Sequence, residues 1–133
     1  MLKEKVEKFY SEDNDLNCAE SMLYGANEEY GLDLDQKVLD TMSSFGGGMA
    51  VGSVCGALTG AVAALGVMFT GDKTLDSEER KAIVAAFYER FQEKIGTDNC
   101  KIIKEKHWNE ALKCREVVKM SAEVLEEVVR KYR

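Results

Sequence analysis

Apolar residues recur three or four positions apart along most of this chain, which is the spacing of one face of an α-helix. Capping residues and glycines divide the pattern into separate elements. Helices are predicted over residues 2–10, 17–29, 35–44, 53–70, 77–95, from 100 to a break near 107–109, and over 110–132. These elements predict an all-α fold, a bundle of about five to seven helices around a central, glycine-rich apolar helix.

The central segment, residues 41–71, carries no charged side chain, which raises the question of a membrane span. Its first third is rich in glycine and serine, and its continuously apolar part, residues 58–69, is too short to cross a bilayer. We therefore expect no membrane span. The segment instead predicts a buried helix, against which neighbours pack closely at Gly56 and Gly60.

Composition places this helix in one globular domain over residues 1–133, with 45% hydrophobic residues and no proline. The formal net charge of -6 argues against a nucleic-acid partner, because phosphate binding needs clustered Lys and Arg. Residues 1–10 are a charged amphipathic run without the apolar stretch of a signal peptide, so we expect a cytoplasmic protein.

Four cysteines, Cys18, Cys55, Cys100 and Cys114, carry the clearest chemistry, and none forms a CxxC pair. In a reducing compartment they are more typical of ligands or redox thiols than of structural disulfides. We expect Cys18 and Cys100 in the first turns of their helices and Cys55 near a helix start, where N–H groups stabilise a thiolate. Cys114 is expected further inside the apolar last helix and should matter least.

Thiolates gathered in this way could hold an iron–sulfur cluster. Zinc is disfavoured by the dispersed spacing, because structural zinc sites usually draw their ligands from close pairs. Gly46, Gly47 and Gly48 are expected to form a wall of the cysteine site, with Gly56 beside Cys55, because backbone N–H groups without side chains suit an anionic cluster.

These residues resemble a family of redox-active proteins labelled C-GCAxxG-C-C. Cys18 in Asn-Cys-Ala-Glu looks like its first cysteine, Cys55-Gly-Ala-Leu-Thr-Gly like its motif, and Cys100 and Cys114 like its last two cysteines. The glycine segment is also of the family's type. Related domains accompany haem-binding segments in split-Soret cytochromes, where iron–sulfur binding has been suggested. This chain has no CxxCH, so covalent c-type haem is not expected.

Three functions remain open from the sequence. The first is a small redox protein with one iron–sulfur site, working in electron transfer or redox sensing with an unidentified redox partner protein. The second is a metal-free thiol–disulfide protein, and the third is a helical interaction module with inert cysteines. The sequence identifies no catalytic residue and leaves open both an enzymatic role and a homo-oligomer.

Overall fold

The computed structural model describes residues 1–11 and 13–133, and this part of the chain folds into seven α-helices without a β-strand. The helices are α1 (Leu2–Phe9), α2 (Cys18–Tyr30), α3 (Gln36–Asp40), α4 (Gly56–Thr70), α5 (Ser77–Ile95), α6 (Cys100–His107) and α7 (Arg115–Tyr132). The predicted all-α fold is therefore confirmed. None of these helices is both long and apolar enough to cross a membrane.

Local capping chemistry fixes several helix ends where the sequence predicts them. Asn17 and Asp76 start α2 and α5 with capping boxes, each exchanging hydrogen bonds with the Glu three residues further on. Gly31 and Gly96 end the same two helices in the left-handed conformation. These interactions involve near neighbours in sequence, which is why the sequence alone locates them.

Three boundaries differ from the prediction. The helix predicted over 35–44 is a short α3 followed by a 3₁₀ turn, Thr41–Ser44. Helix α4 starts at Gly56 instead of residue 53, because residues 53–55 pair with residues 98–100. Helix α7 starts at Arg115 instead of residue 110.

Helix α4 lies at the centre of the bundle, between α2, α5 and α7, and packs most closely against α2. A Cβ atom added at Gly60 would come within 2.5 Å of the Ala19 carbonyl oxygen and 2.9 Å of Met22 Cβ. The two helices therefore meet backbone to backbone at this position. Gly66, on the same helix, has no neighbouring atom within 4 Å of such a Cβ.

The segment before α4 contains a left-handed turn. Gly47, Gly48, Met49 and Ala50 have φ angles of 64°, 64°, 59° and 65°. Side-chain-bearing residues pay roughly 1–2 kcal/mol each for this conformation, so Met49 and Ala50 are strained while the glycines are not. The turn leads directly to Cys55.

We predict that the two glycines of α4 respond oppositely to alanine. Gly60→Ala should destabilise the protein by about 1–3 kcal/mol, because its methyl group meets the α2 backbone. Gly66→Ala should stabilise it by about 0.5–1 kcal/mol, because only the conformational entropy of glycine changes. Urea denaturation measures both. Equal effects of the two substitutions would contradict the proposed contact between α2 and α4.

Candidate functional site

All four cysteines line one cavity of about 460 Å³. Each stands at the N-terminal end of a helix: Cys18 is the first residue of α2, Cys100 is the first of α6, and Cys55 and Cys114 are the N-caps of α4 and α7. All four are free thiols. Residues dispersed through the sequence thus share one site, and the positive ends of four helix dipoles lie beside it.

The position of Cys114 corrects the sequence interpretation. It was expected inside an apolar helix, but the connection between α6 and α7 occupies residues 108–114. Asn109 accepts a hydrogen bond from the Leu112 N–H, and Lys113 has a φ of 55°, so a turn forms there instead of a helix. The expected break near 107–109 is confirmed, and the helix resumes only after Cys114.

A backbone bridge holds Cys55 and Cys100. The Cys55 N–H donates to the Asp98 carbonyl oxygen at 2.7 Å, and the Cys100 N–H donates to the Ser53 carbonyl oxygen at 2.6 Å. Asn99 caps α6 by accepting from the Ile102 N–H at 3.0 Å. The starts of α4 and α6 are therefore joined side by side.

The Tyr10 hydroxyl holds the other two cysteines. Its oxygen lies 3.9 Å from Cys18 Sγ and accepts a hydrogen bond from the Cys114 N–H at 3.1 Å. Tyr10 follows α1, so the end of one helix organises the starts of two others. The sequence placed Tyr10 only at the end of the helix predicted over residues 2–10, because its role depends on contact with a residue more than a hundred positions away.

The four thiols have different pKa values because their surroundings differ. Hydrogen bonding with Cys18 lowers the pKa of Cys114 to about 7. Burial acts to raise this pKa, and the positive charge of Lys104 acts to lower it further. The same interaction with Cys114, together with burial, raises the pKa of Cys18. Burial raises the pKa of Cys55 to about 11, although hydrogen bonds from the Leu58 and Ala57 N–H groups act to lower it. Burial also raises the pKa of Cys100.

The glycines predicted as a wall contact the site in different ways. Gly47 and Gly56 line the cavity. A Cβ on Gly48 would come within 2.8 Å of Cys100 Cβ, and one on Gly46 within 2.5 Å of the Asn17 side chain. The segment therefore supports the residues around the cysteines as well as bordering the cavity itself.

Cationic side chains complete the cavity, although the whole chain is acidic. In the described part of the chain, Lys104, Lys113 and Arg115 line it together with the carboxylate of Asp15. Arg115 Nε is buried without a hydrogen-bond partner among the described residues. Sequence reasoning missed these cations, yet Lys104 lies one helical turn after Cys100, a spacing that could have indicated it.

Within residues 1–11 and 13–133, no group of three or more His, Cys, Asp or Glu side chains is arranged to hold a metal ion. The cysteines surround a space instead, with Trp108 and Leu112 at its border. The site thus belongs to the class of helical pockets lined by several thiols.

Comparison with known families identifies this class more closely. Residues 16–128 match the sequence model of the family described as "Putative redox-active protein (C_GCAxxG_C_C)". The match covers most of the chain, which therefore belongs to this family, as the motif indicated. No curated protein and no solved structure matches the chain.

We predict that Cys114 is the most reactive thiol of the metal-free protein at neutral pH. Its alkylation by iodoacetamide should rise with pH and level off above about 7, because the thiolate is the nucleophile. Cys55 should remain slow until much higher pH, since its pKa is about 11. Mass spectrometry of alkylated peptides across a pH series measures each residue separately.

The matched variant for this measurement is Cys18→Ser. It removes the Cys18 thiol, the largest cause of the lowered pKa of Cys114, so the alkylation profile of Cys114 should move to higher pH. An unchanged profile, or a Cys114 that titrates together with Cys55, would contradict this account of the site.

Proposed function

We propose that this protein holds an iron–sulfur cluster on Cys18, Cys55, Cys100 and Cys114 and works in electron transfer or redox sensing. The observation that carries the proposal is the arrangement of four thiols at four helix N-termini around one cavity. Membership of a redox-active family agrees with it.

The charges around the cavity fit an anionic occupant. Thiolate ligands bring negative charge, which the helix N-termini and the side chains of Lys104, Lys113 and Arg115 can offset. The buried Arg115 Nε lacks a partner among the described residues and could donate to such an occupant. Among the residues that the structure describes, Asp15 is the one carboxylate at the cavity, so the described cations outnumber it there.

The cavity between the cysteines favours a cluster over a single ion. A single tetrahedral ion requires all its ligand atoms close to one point, and the described residues offer no such group. A multi-iron cluster separates its thiolate ligands more widely, because they are shared among several iron atoms. Four cysteines around a cavity of about 460 Å³ suit the second case.

The glycine-rich backbone would serve as part of the binding wall. Gly47 and Gly56 border the cavity without side chains, so their peptide groups could approach the cluster, whose sulfides accept hydrogen bonds. Gly46 and Gly48 would act indirectly, by allowing Asn17 and Cys100 to pack closely against the segment. A bound cluster supplies one-electron chemistry, and the surrounding residues position it and limit its exposure to water.

Partners and location follow from the same proposal. Trp108 and Leu112, which are 44% and 46% exposed, would give a redox partner protein an apolar contact beside the cavity. A reducing compartment such as the cytoplasm suits four free thiols. A homo-oligomer would find an uncharged surface on α4, where Gly66 and Val67 are exposed.

We predict that protein purified without oxygen contains iron and acid-labile sulfide and absorbs visible light. Each of the four Cys→Ser variants should lose iron, and Cys114→Ser should lose no less than the others, because Cys114 also stands at a helix N-terminus. Iron and sulfide assays with absorption spectra measure this. Colourless wild-type protein that stays metal-free after reconstitution with iron and sulfide would overturn the proposed function.

We further predict that Gly47→Val lowers iron occupancy or shifts the absorption spectrum, because its side chain would enter the cavity wall. Gly31→Val is the matched control: Gly31 has nearly the same φ, 60° against 64°, equally open surroundings, and no place in the cavity lining. Both variants should lose roughly 1–2 kcal/mol of stability through backbone strain. Equal iron contents in the two would place the glycine segment outside the site.

A further inference from the structure

The four thiols fall into two unlike pairs. Backbone hydrogen bonds join the segments that carry Cys55 and Cys100, and those bonds do not involve the sulfur atoms. Cys18 and Cys114 meet differently, since the Tyr10 oxygen lies within 3.9 Å of the Cys18 sulfur and 3.1 Å of the Cys114 nitrogen. One oxygen atom thus contacts both residues.

We propose that Cys18 and Cys114 are a redox-active thiol pair that closes to an intramolecular disulfide by exchange with a low-molecular-weight disulfide. This activity belongs to the cluster-free chain and does not require the proposed cluster. It names the cysteine pair and the substrate class, small disulfides, which the sequence alone left open.

The shared contact with Tyr10 supports this pairing over the others. The Cys18 sulfur and the Cys114 N–H both meet the Tyr10 hydroxyl oxygen, whereas the hydrogen bonds that join the segments of Cys55 and Cys100 involve backbone atoms alone. Cys18 is also partly exposed, while the other three cysteines are buried. A small disulfide that enters the cavity therefore meets Cys18 first.

The exchange balances without any further reactant. One thiolate of the pair attacks a sulfur of the disulfide RSSR, forms a mixed disulfide and releases RS⁻. The second thiol loses its proton and attacks the protein sulfur of that mixed disulfide, which releases the second RS⁻. The two protons of the cysteines end on two RSH molecules, so the pair is oxidised by two electrons and RSSR is reduced by two.

Closure would also control the site as a whole, a consequence that rests on the proposed function. A sulfur in the Cys18–Cys114 disulfide is not a thiolate and cannot ligate iron. The oxidised chain therefore keeps only Cys55 and Cys100 as ligands. The disulfide would have to be reduced before a cluster could be loaded. Cluster loading would therefore depend on the balance of thiols and disulfides in the compartment.

The decisive experiment uses the reduced, metal-free full chain and glutathione disulfide as the probe. After incubation, free thiols are alkylated and the peptides are mapped by mass spectrometry without reduction. We expect the loss of two of the four thiols and one peptide pair that joins Cys18 to Cys114, with Cys55 and Cys100 alkylated. No loss of thiols, persistent mixed disulfides, or a bridge between other cysteines would overturn the proposal.

Single variants separate the two steps of the exchange. Cys18→Ser and Cys114→Ser should each accumulate a glutathione mixed disulfide, because the second thiol that resolves it is missing. Cys55→Ser and Cys100→Ser are the matched controls and should still form the Cys18–Cys114 bridge. A control variant that folds, as judged by circular dichroism, but fails to form the bridge would contradict the pairing. The wild-type map remains decisive if a variant does not fold.

Iron reconstitution of the same preparations distinguishes this proposal from the proposed function. Reduced chain that takes up iron but forms no bridge refutes the thiol pair alone. Chain that forms the bridge but takes up no iron after reduction refutes the cluster alone. When both hold, the bridged chain should take up less iron than the reduced chain, and equal uptake would refute the control of loading by the bridge.

Discussion

The close approach of α4 to α2 is the contact on which both the packing and the site depend. At Gly60 the α2 backbone lies where a side chain would begin, and a Cβ at Gly56, one turn earlier, would lie 3.3 Å from the Ala19 nitrogen and 3.4 Å from Cys18 Cβ. Gly56 immediately follows Cys55. The spacing between the helices therefore also sets the spacing between Cys18 and Cys55. A larger residue at Gly60 would push α2 and α4 apart, so the packing at this position cannot be altered independently of the thiols.

The contacts that the sequence reveals are those made between near neighbours. The helix starts at Asn17 and Asp76 were predictable because each capping box spans only four residues, and the start at Asn17 places Cys18 correctly. The start of α7 was not predictable in this way. Leu112 fits the apolar spacing of that helix but is 46% exposed, and the turn before Cys114 forms instead. The contact between Tyr10 and Cys114 is a tertiary interaction that no local pattern records.

The charge around the cavity is positive, whereas the net charge of the whole chain is negative. The protein has a formal net charge of -6, yet four helix N-termini and three cationic side chains surround the cysteines. Such a positive potential favours negative charge within the cavity. The lowered pKa of Cys114 supplies part of that charge. The interaction with Cys114, together with burial, raises the pKa of Cys18, and burial raises the pKa values of Cys55 and Cys100.

Cys18 is the residue at which the packing and the chemistry meet. Its backbone belongs to α2, fixed by the Asn17 cap and by the contact with α4, so its position can change little. Cys114 instead follows residues 108–113, all of which are exposed and outside any helix. Segments with few buried contacts open and adjust at low free-energy cost.

The site therefore has a rigid wall, formed by α2 and α4, and an adaptable wall, formed by the connection before α7. Any change in the distance between Cys18 and Cys114, whether to bind a cluster or to close a disulfide, should be made by movement of the Cys114 side, because movement of Cys18 would disturb the α2–α4 contact.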